Sequence, residues 1–239
     1  MLLVELNTIH NEDCLKTMSK MGDGEVDIVV TSPPFNAGKD YGETSDDNRT
    51  DYDIWISEVL KECERVASTA VYVFISQRKM EVVKRALRGF QQWLFWHRPN
   101  LVSAGGKIMF PWIPTITPIA MSWTNGRKPM LNETYGVRTF DLIVAASPQS
   151  NFHGELHRVH VAQDPITPYW TVIVRTPGRI IYDPFLGSGT SALAAIKAGR
   201  DWVASEINPE YCAIARKRVE QTFRPDKIFQ ETIERDRYE

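Results

Sequence analysis

The sequence predicts an α/β fold, a mostly parallel sheet with helices on both faces. Two observations predict it. Short β-branched apolar runs alternate with segments whose apolar residues recur at helical spacing, the order that builds a parallel sheet through crossover helices. Two turns rich in Pro or Gly, at 31–36 and 183–190, each directly follow a predicted strand. That places both at the carboxyl edge of the sheet, where ligands of such folds sit.

The elements are taken in order. Val26-Asp27-Ile28-Val29-Val30-Thr31 reads as a buried strand, because its apolar run is continuous rather than alternating. Residues 37–50 are polar, carry Gly38 and Gly42, and read as a loop. Trp55, Val59, Leu60 and Val66 predict a helix over 52–66, followed by a strand over 70–75. A basic helix is expected over 78–89, ended by Gly89, and strands over 93–97 and 140–146. Between them, 98–139 combines Pro, Gly and Trp with little periodicity and is expected to be the least regular part. A helix over 165–174, a strand over 179–183, a helix over 190–198 ended by Gly199 and a strand over 201–206 follow. The last helix, 208–222, opens on Asn208-Pro209, a capping residue followed by proline at the first helical position. The charged tail after Pro225 is expected to be a frayed helix.

A chain of 239 residues suits one domain, 1–239, and 43% hydrophobic with 24% charged residues excludes a disordered or low-complexity protein. Met1-Leu2-Leu3-Val4-Glu5 has no basic segment before an apolar run, so no secretory signal is expected, and no window reaches the length of a membrane span. Cys14, Cys63 and Cys212 are far apart, odd in number and not in Cys-x-x-Cys pairs. That speaks against a disulfide framework or a zinc site and for a reducing, cytoplasmic compartment. Net charge is −2, but it is unevenly spread. From Arg78 to Arg138 ten Lys or Arg stand against two Glu, and from Asp40 to Glu64 nine acids stand against two bases. Charge alone leaves two readings open, a polyanion-binding surface in the middle of the chain or two solvated faces that cancel.

Asp183-Pro184-Phe185-Leu186-Gly187-Ser188-Gly189-Thr190 lies between a predicted strand and a helix. Gly187 and Gly189 permit a sharp turn and close backbone approach to a ligand, and the helix N-terminus behind them offers free N–H groups. Glu206 ends the next strand, 19 residues after Gly187, where nucleotide-binding folds place an acid that accepts from ribose hydroxyls. The pair of features fits either a dinucleotide or S-adenosylmethionine; the glycine turn by itself fits a plain strand–helix connection.

Thr31-Ser32-Pro33-Pro34-Phe35-Asn36 is the second constellation. Consecutive prolines make a rigid turn with exposed carbonyls. An exocyclic amine on a base is a poor nucleophile because its lone pair is delocalised into the ring. Acceptors placed around its N–H groups favour a tetrahedral nitrogen and free that pair, and the Ser32 hydroxyl and Pro33 carbonyl are such acceptors. Phe35 can stack on a base taken out of a duplex. The structural alternative is a Pro-Pro loop closure with Phe35 in the core.

Thr-Ser-Pro-Pro-Phe at 31–35 resembles the catalytic motif of amino-group DNA methyltransferases, and 183–190 resembles their cofactor motif. The catalytic motif comes first, which resembles the permuted β-class found in restriction–modification systems, phages and orphan methylases. Relatives acting on protein or ribosomal RNA mostly keep the cofactor motif first. The resemblance implies a Rossmann-like methyltransferase fold with a seven-stranded sheet, S-adenosylmethionine as cofactor and double-stranded DNA as partner. It implies catalytic roles for Ser32, Pro33, Pro34 and Phe35, and cofactor contacts for Asp183, Phe185, Gly187, Ser188, Gly189, Thr190 and Glu206. Asn11-Glu12-Asp13-Cys14-Leu15 resembles the segment whose acid meets the cofactor adenine, which implies that role for Asp13. Trp96-His97-Arg98-Pro99-Asn100 resembles the family's Trp-x-Lys-x-Asn strand end. His160–Pro165 resembles the segment that helps hold the methionine end, but Asp164-Pro165 stands where the family usually has Lys-Pro.

In the family, sequence readout lies between the regions of Trp96 and His160, here a target-recognition insert over about 101–158. Lys107, Arg127, Lys128 and Arg138, with Arg98, are the candidate DNA contacts, each also readable as an ordinary surface charge. Trp112 and Trp123 are expected in the core. His153, His157 and His160 are spaced like metal ligands, but the family uses no metal, so they read as polar or readout residues. Ser in the first catalytic position resembles the N4-cytosine enzymes more often than the N6-adenine ones. The alternatives carried are an N6-adenine enzyme, a non-catalytic DNA-binding subunit, and a methyltransferase acting on RNA or protein. Many β-class relatives dimerise, so a homodimer is expected.

Overall fold

The computed structural model describes residues 4–36, 38, 48–100, 114–124, 140–148 and 163–222. Its strands are β1 (Thr8–His10), β2 (Val26–Thr31), β3 (Ala67–Phe74), β4 (Phe90–His97), β5 (Ile116–Trp123), β6 (Leu142–Val144), β7 (Ile180–Asp183) and β8 (Asp201–Ser205). Its helices are α1 (Cys14–Ser19), α2 (Tyr52–Val66), α3 (Met80–Ala86), α4 (Ile166–Arg175), α5 (Thr190–Lys197) and α6 (Pro209–Thr222). The strands form one sheet in the order β1-β8-β7-β2-β3-β5-β4-β6. All neighbours are parallel except β5, which runs antiparallel to both β3 and β4.

Two apolar layers hold the helices. On one face Cys14 and Met18 of α1, Ile56, Leu60 and Cys63 of α2 and Val83 of α3 pack on Val29, Val71 and Val73. On the other, Tyr169 and Ile173 of α4, Ala194 and Ala195 of α5 and Cys212 and Ala215 of α6 pack on Ile28, Val30, Tyr72 and Phe74. The run in β2 is continuous because it feeds both layers: Ile28, Val29 and Val30 have no exposed surface. Full burial of one such side chain contributes roughly 1.5–3 kcal/mol. The three cysteines are free and buried, and burial pushes their thiols above the ordinary range.

The structure refines the expected elements. The described residues hold eight strands rather than seven. The stretch expected to be irregular contains β5, and residues 116–123 and 142–144, inside the span assigned to recognition, belong to the main sheet. The strand expected over 140–146 is confined to 142–144, and the basic helix over 78–89 is a 3-10 turn at Gln77–Lys79 followed by α3. Gly89 therefore does not end a helix; it lets β5 approach. A Cβ there would lie 2.0 Å from the Trp123 carbonyl oxygen. Glu64 of α2 fastens the junction, accepting from the Gly89 backbone N–H (2.9 Å) and the Ser122 hydroxyl (2.5 Å). Trp123 is half-buried against the second layer, and Trp112 lies outside the described residues.

Candidate active site

Right-handed crossovers toward one edge put their helices on one face, and those toward the other edge on the opposite face. From β2 the chain moves to β3 through α2; from β7 it moves the other way, to β8, through α5. The neighbours β2 and β7 thus flank the point where the winding reverses, and their carboxyl ends open a crevice there. β1, β8, β7 and β2 are consecutive and parallel, so the segments after His10, Ser205, Asp183 and Thr31 lie side by side. The topology sets the segments that carry the predicted catalytic and cofactor residues along one edge of the sheet.

The two turns are joined directly. Thr31 at the end of β2 has no exposed surface, and its hydroxyl donates to Asp183 Oδ1 at 2.8 Å. Beyond it Pro33 is buried, while Ser32, Pro34 and Phe35 are half-buried. Phe35 packs on the α2 side of the core. The far end of the turn is anchored by the Tyr52 hydroxyl, which donates to the Pro34 carbonyl at 2.7 Å. Asn36 closes the turn with φ +52°, a conformation asparagine tolerates, and its amide donates to the Arg49 carbonyl at 3.0 Å. Arg49 lies 4.8 Å over the Trp55 ring, which meets Phe185 of the second turn edge-on at 5.6 Å.

The glycine turn is built as its sequence requires. Gly187 (φ +53°) and Gly189 (φ +90°) are in the left-handed region, and Gly189 caps α5. A Cβ on Gly189 would also press on Ala215 of α6 at 3.1 Å. Arg218 of α6 donates to the Ser188 carbonyl at 2.6 Å and to its hydroxyl at 3.0 Å, and the Thr190 hydroxyl donates to the Asp164 carbonyl at 3.1 Å. Glu206, 8% exposed, accepts from the backbone N–H groups of Gly187 and Asn208, each at 2.8 Å. Burial raises its pKa, and those N–H groups pull it back. Asn11 clamps the segment after β1 to the end of β8 through bonds to the Glu206 (2.8 Å) and Ile207 (3.0 Å) carbonyls. Asp13 caps α1, accepting from Leu15 N–H at 2.8 Å.

Asp183 stands beneath the crevice as a strut. It accepts from Thr31, from the Phe185 N–H (2.9 Å) and, through a short bond, from the Ser191 hydroxyl of α5. Burial pushes its pKa up to about 6 against these donors. At the end of β4, on the same sheet edge, Arg98 lies 5.6 Å over Trp96 and donates to the Pro114 carbonyl at 2.7 Å. Burial lowers its pKa, and Asp164 opposes the shift. The Trp96 indole donates to the Ala145 carbonyl (2.9 Å), and Asn100 exchanges two 2.8 Å bonds with Ser147.

Lys107, Arg127, Lys128 and Arg138, residues 40–47 of the acidic loop, and His153, His157 and His160 lie outside the described residues. Four contributors escaped the sequence reading: Ser191, Arg218, Tyr52 and Tyr169. Tyr169 is 3% exposed, stacks on Phe74 at 4.2 Å and donates to Asp164 Oδ2 at 2.8 Å. Only the departure at Asp164 marked that neighbourhood in the sequence.

The chain matches the family model for N6- and N4-type DNA methylases over residues 26–166 and 172–217. Among curated proteins it is 26% identical over 235 residues to the type II methyltransferase M.HpaI of Haemophilus parainfluenzae, covering 88% of this chain and 73% of that protein. It is 24% identical over 249 residues to the DNA adenine methyltransferase YhdJ of Escherichia coli, covering 90% and 83%. Among solved structures, the cytosine-N4-specific PvuII DNA methyltransferase superposes with TM-score 0.72 at 18% identity, over 89% of this chain and 86% of that one. An M1.HpyAVI–SAM complex gives 0.69 at 19%, over 89% and 98%.

Proposed function

The chain belongs to the N6/N4 DNA methylase family, and from that premise we propose which base it modifies and which of its residues act. It is an S-adenosylmethionine-dependent DNA methyltransferase for exocyclic amino groups, of the kind found in restriction–modification systems. The proposed target is N4 of cytosine in double-stranded DNA, supported by Ser32 in the first catalytic position. An N6-adenine target is the second reading, favoured by the Escherichia coli relative named as an adenine enzyme.

The residues at the crevice fit the cofactor. Glu206 is a buried acceptor at a strand end, held by two backbone N–H groups, and suits a ribose diol. The turn from Phe185 to Thr190 lets a ligand approach closely because Gly187 and Gly189 carry no side chain, and Asp13, after β1, is the proposed partner of the adenine. The bound cofactor supplies an electrophilic methyl group on a sulfonium. Ser32 and the Pro33 carbonyl accept the N–H bonds of the flipped base, and Phe35 stacks on its ring. Methyl transfer to that amine nitrogen would form an N–CH3 bond as the S–CH3 bond breaks, with S-adenosylhomocysteine left behind and the proton passing to solvent. Catalysis of this kind is positioning plus electrostatics. The observation that carries the reading is the Thr31–Asp183 bond at 2.8 Å, which fixes the two turns against each other at the winding reversal.

Arg98, Lys107, Arg127, Lys128 and Arg138 are proposed to contact DNA. A homodimer belongs to the same proposal; it would cover Phe140, Leu142 and Val144, which are exposed on and beside the edge strand β6. Light scattering of the purified protein tests it, a monomer mass at micromolar concentration removing it. The test of function is nucleoside mass spectrometry of plasmid DNA incubated with the protein and labelled S-adenosylmethionine, with Ser32→Ala and Phe35→Ala as controls. N4-methylcytosine is the expected product. N6-methyladenine would transfer the proposal to the other base. No label despite measured cofactor binding would point to an RNA or protein substrate, or to a missing partner subunit.

A further inference from the structure

We propose that Tyr52 is a positioning residue for methyl transfer: by holding the Pro34 carbonyl, its hydroxyl fixes the direction from which Phe35 meets the target base. The inference rests on the stacking role proposed for Phe35 above. A ring that is to hold one flipped base must be in place before the base arrives, because a misplacement of about 1 Å can slow a reaction roughly 100-fold.

Pro33 and Pro34 have no N–H, so the backbone at the middle of the turn can be hydrogen-bonded only through its carbonyls. The Pro34 carbonyl lies in the planar peptide unit that ends at the Cα of Phe35. A donor on that oxygen therefore fixes the plane from which the Phe35 side chain leaves. The Tyr52 hydroxyl is that donor, at 2.7 Å. It is itself held in place. Tyr52 is the first residue of α2 and is 2% exposed. Its ring meets Trp55 at 5.7 Å between centroids, and the Lys79 ammonium lies 4.4 Å over it while reaching Asp53 at 3.2 Å. Tyrosine has two main side-chain torsions, so a ring packed in this way carries its hydroxyl to one place. The other side of Phe35 is pinned from the same region. The Asn36 amide donates to the Arg49 carbonyl at 3.0 Å, and the Arg49 guanidinium makes two 3.0 Å bonds to the Asp51 carboxylate. Phe35 thus stands between two anchors, both supplied where the chain enters α2. The Thr31–Asp183 bond holds only the start of the turn.

The test uses the full chain, with single-turnover methylation of plasmid DNA and titration of S-adenosylmethionine binding. Thermal melting checks that each variant is folded at the assay temperature. Tyr52→Phe keeps the packed ring and removes the hydroxyl. The rate at saturating DNA should fall about tenfold, with the KM for DNA and the cofactor affinity unchanged, because no group that holds either ligand is altered. Tyr72→Phe is the control. It removes a buried tyrosine hydroxyl from β3, bonded to Thr176 at 2.8 Å, and should leave the rate as it is. The double variant Phe35→Ala/Tyr52→Phe should be no slower than Phe35→Ala, because Tyr52 acts through Phe35. Wild-type rate in Tyr52→Phe beside a slow Phe35→Ala overturns the proposal alone. So does an equal loss in Tyr72→Phe, which would be general loosening of the sheet, or a Tyr52→Phe effect of the same size with and without the Phe35 ring. Wild-type rate in Phe35→Ala overturns the stacking reading, and this proposal with it.

Discussion

The sheet has two unlike halves. β1, β8, β7 and β2 are all parallel, and at their carboxyl ends buried polar groups meet the chain's own donors: Asp183 accepts from two hydroxyls and one backbone N–H, and the Glu206 carboxylate from the backbone N–H groups of Gly187 and Asn208. Beyond β3 the sheet turns mixed at β5, and its outer strand β6 leaves Leu142 49% and Val144 58% exposed. There the strand ends are stapled by local bonds, Trp96 to Ala145 and Asn100 to Ser147. The difference teaches where each task belongs. Methyl transfer needs groups that do not reorganise, and the residues proposed for it follow strands of the parallel half, whose ends are tied by a satisfied network. Contact with DNA needs surface and charge, and Arg98, the one proposed DNA contact among the described residues, stands just beyond β4 in the mixed half.

The sharpest way to break the comparison is to separate chemistry from fold in the parallel half. Ser32→Ala removes a half-buried hydroxyl whose proposed work is on the substrate. The single-turnover rate should fall roughly 10²–10³-fold, about 2.7–4 kcal/mol, with the melting temperature unmoved. A large loss of stability would mean that Ser32 is part of the framework. The converse belongs to the mixed half. Gly89→Ala places a Cβ 2.0 Å from the Trp123 carbonyl oxygen and must displace β5. Denaturant titration should show a loss of about 1–3 kcal/mol; unchanged stability would mean that the β4–β5 junction yields easily. Glu206→Gln is smaller again. It turns one acceptor of the carboxylate into a donor, facing a ribose hydroxyl or an N–H of Gly187 or Asn208. Cofactor affinity should drop about tenfold, ~1.4 kcal/mol, and an unchanged dissociation constant would remove Glu206 from the binding site.

The parallel half was legible because its signals are local. A continuous β-branched run marks β2, buried on both faces, and Pro-Pro and Gly-x-Gly directly after strands mark the sheet edge. β5 sent no such signal. Ile116-Thr117-Pro118-Ile119-Ala120-Met121-Ser122-Trp123 carries a proline, which argues against an internal strand. The fold accommodates it near the start of the strand, where the Pro118 carbonyl still accepts from Ile75 N–H at 3.0 Å. Tyr169 was hidden for another reason. In the amphipathic pattern of α4 it is one more apolar position beside Val172 and Ile173, and spacing cannot tell a tyrosine that only packs from one whose hydroxyl also bonds to Asp164. The glycine motif suggested that Asp183 meets the cofactor, and only the fold reveals that it joins β2, β7 and α5.

That strut gives the smallest effect, one of slope rather than loss. Burial raises the Asp183 pKa from its ordinary 3.8 to about 6. Between those values the folded protein holds a proton that the unfolded chain has released. Asp183 therefore makes stability fall as pH rises through this window, and its contribution is level above about 6. Glu12, held down to about 2 chiefly by its bond to Lys20, contributes with the opposite sign at lower pH. The quantity to measure is accordingly the difference between two proteins. Asp183→Asn keeps the shape, and its amide can accept from Thr31 and Phe185 while donating to Ser191. Denaturant titrations from pH 4 to 7 should show the variant gaining on wild type as pH rises to about 6 and running parallel to it beyond. A constant difference across the range would mean that Asp183 titrates as an ordinary carboxylate. The tie between the two turns would then be a plain hydrogen bond, without the strain of a buried charge.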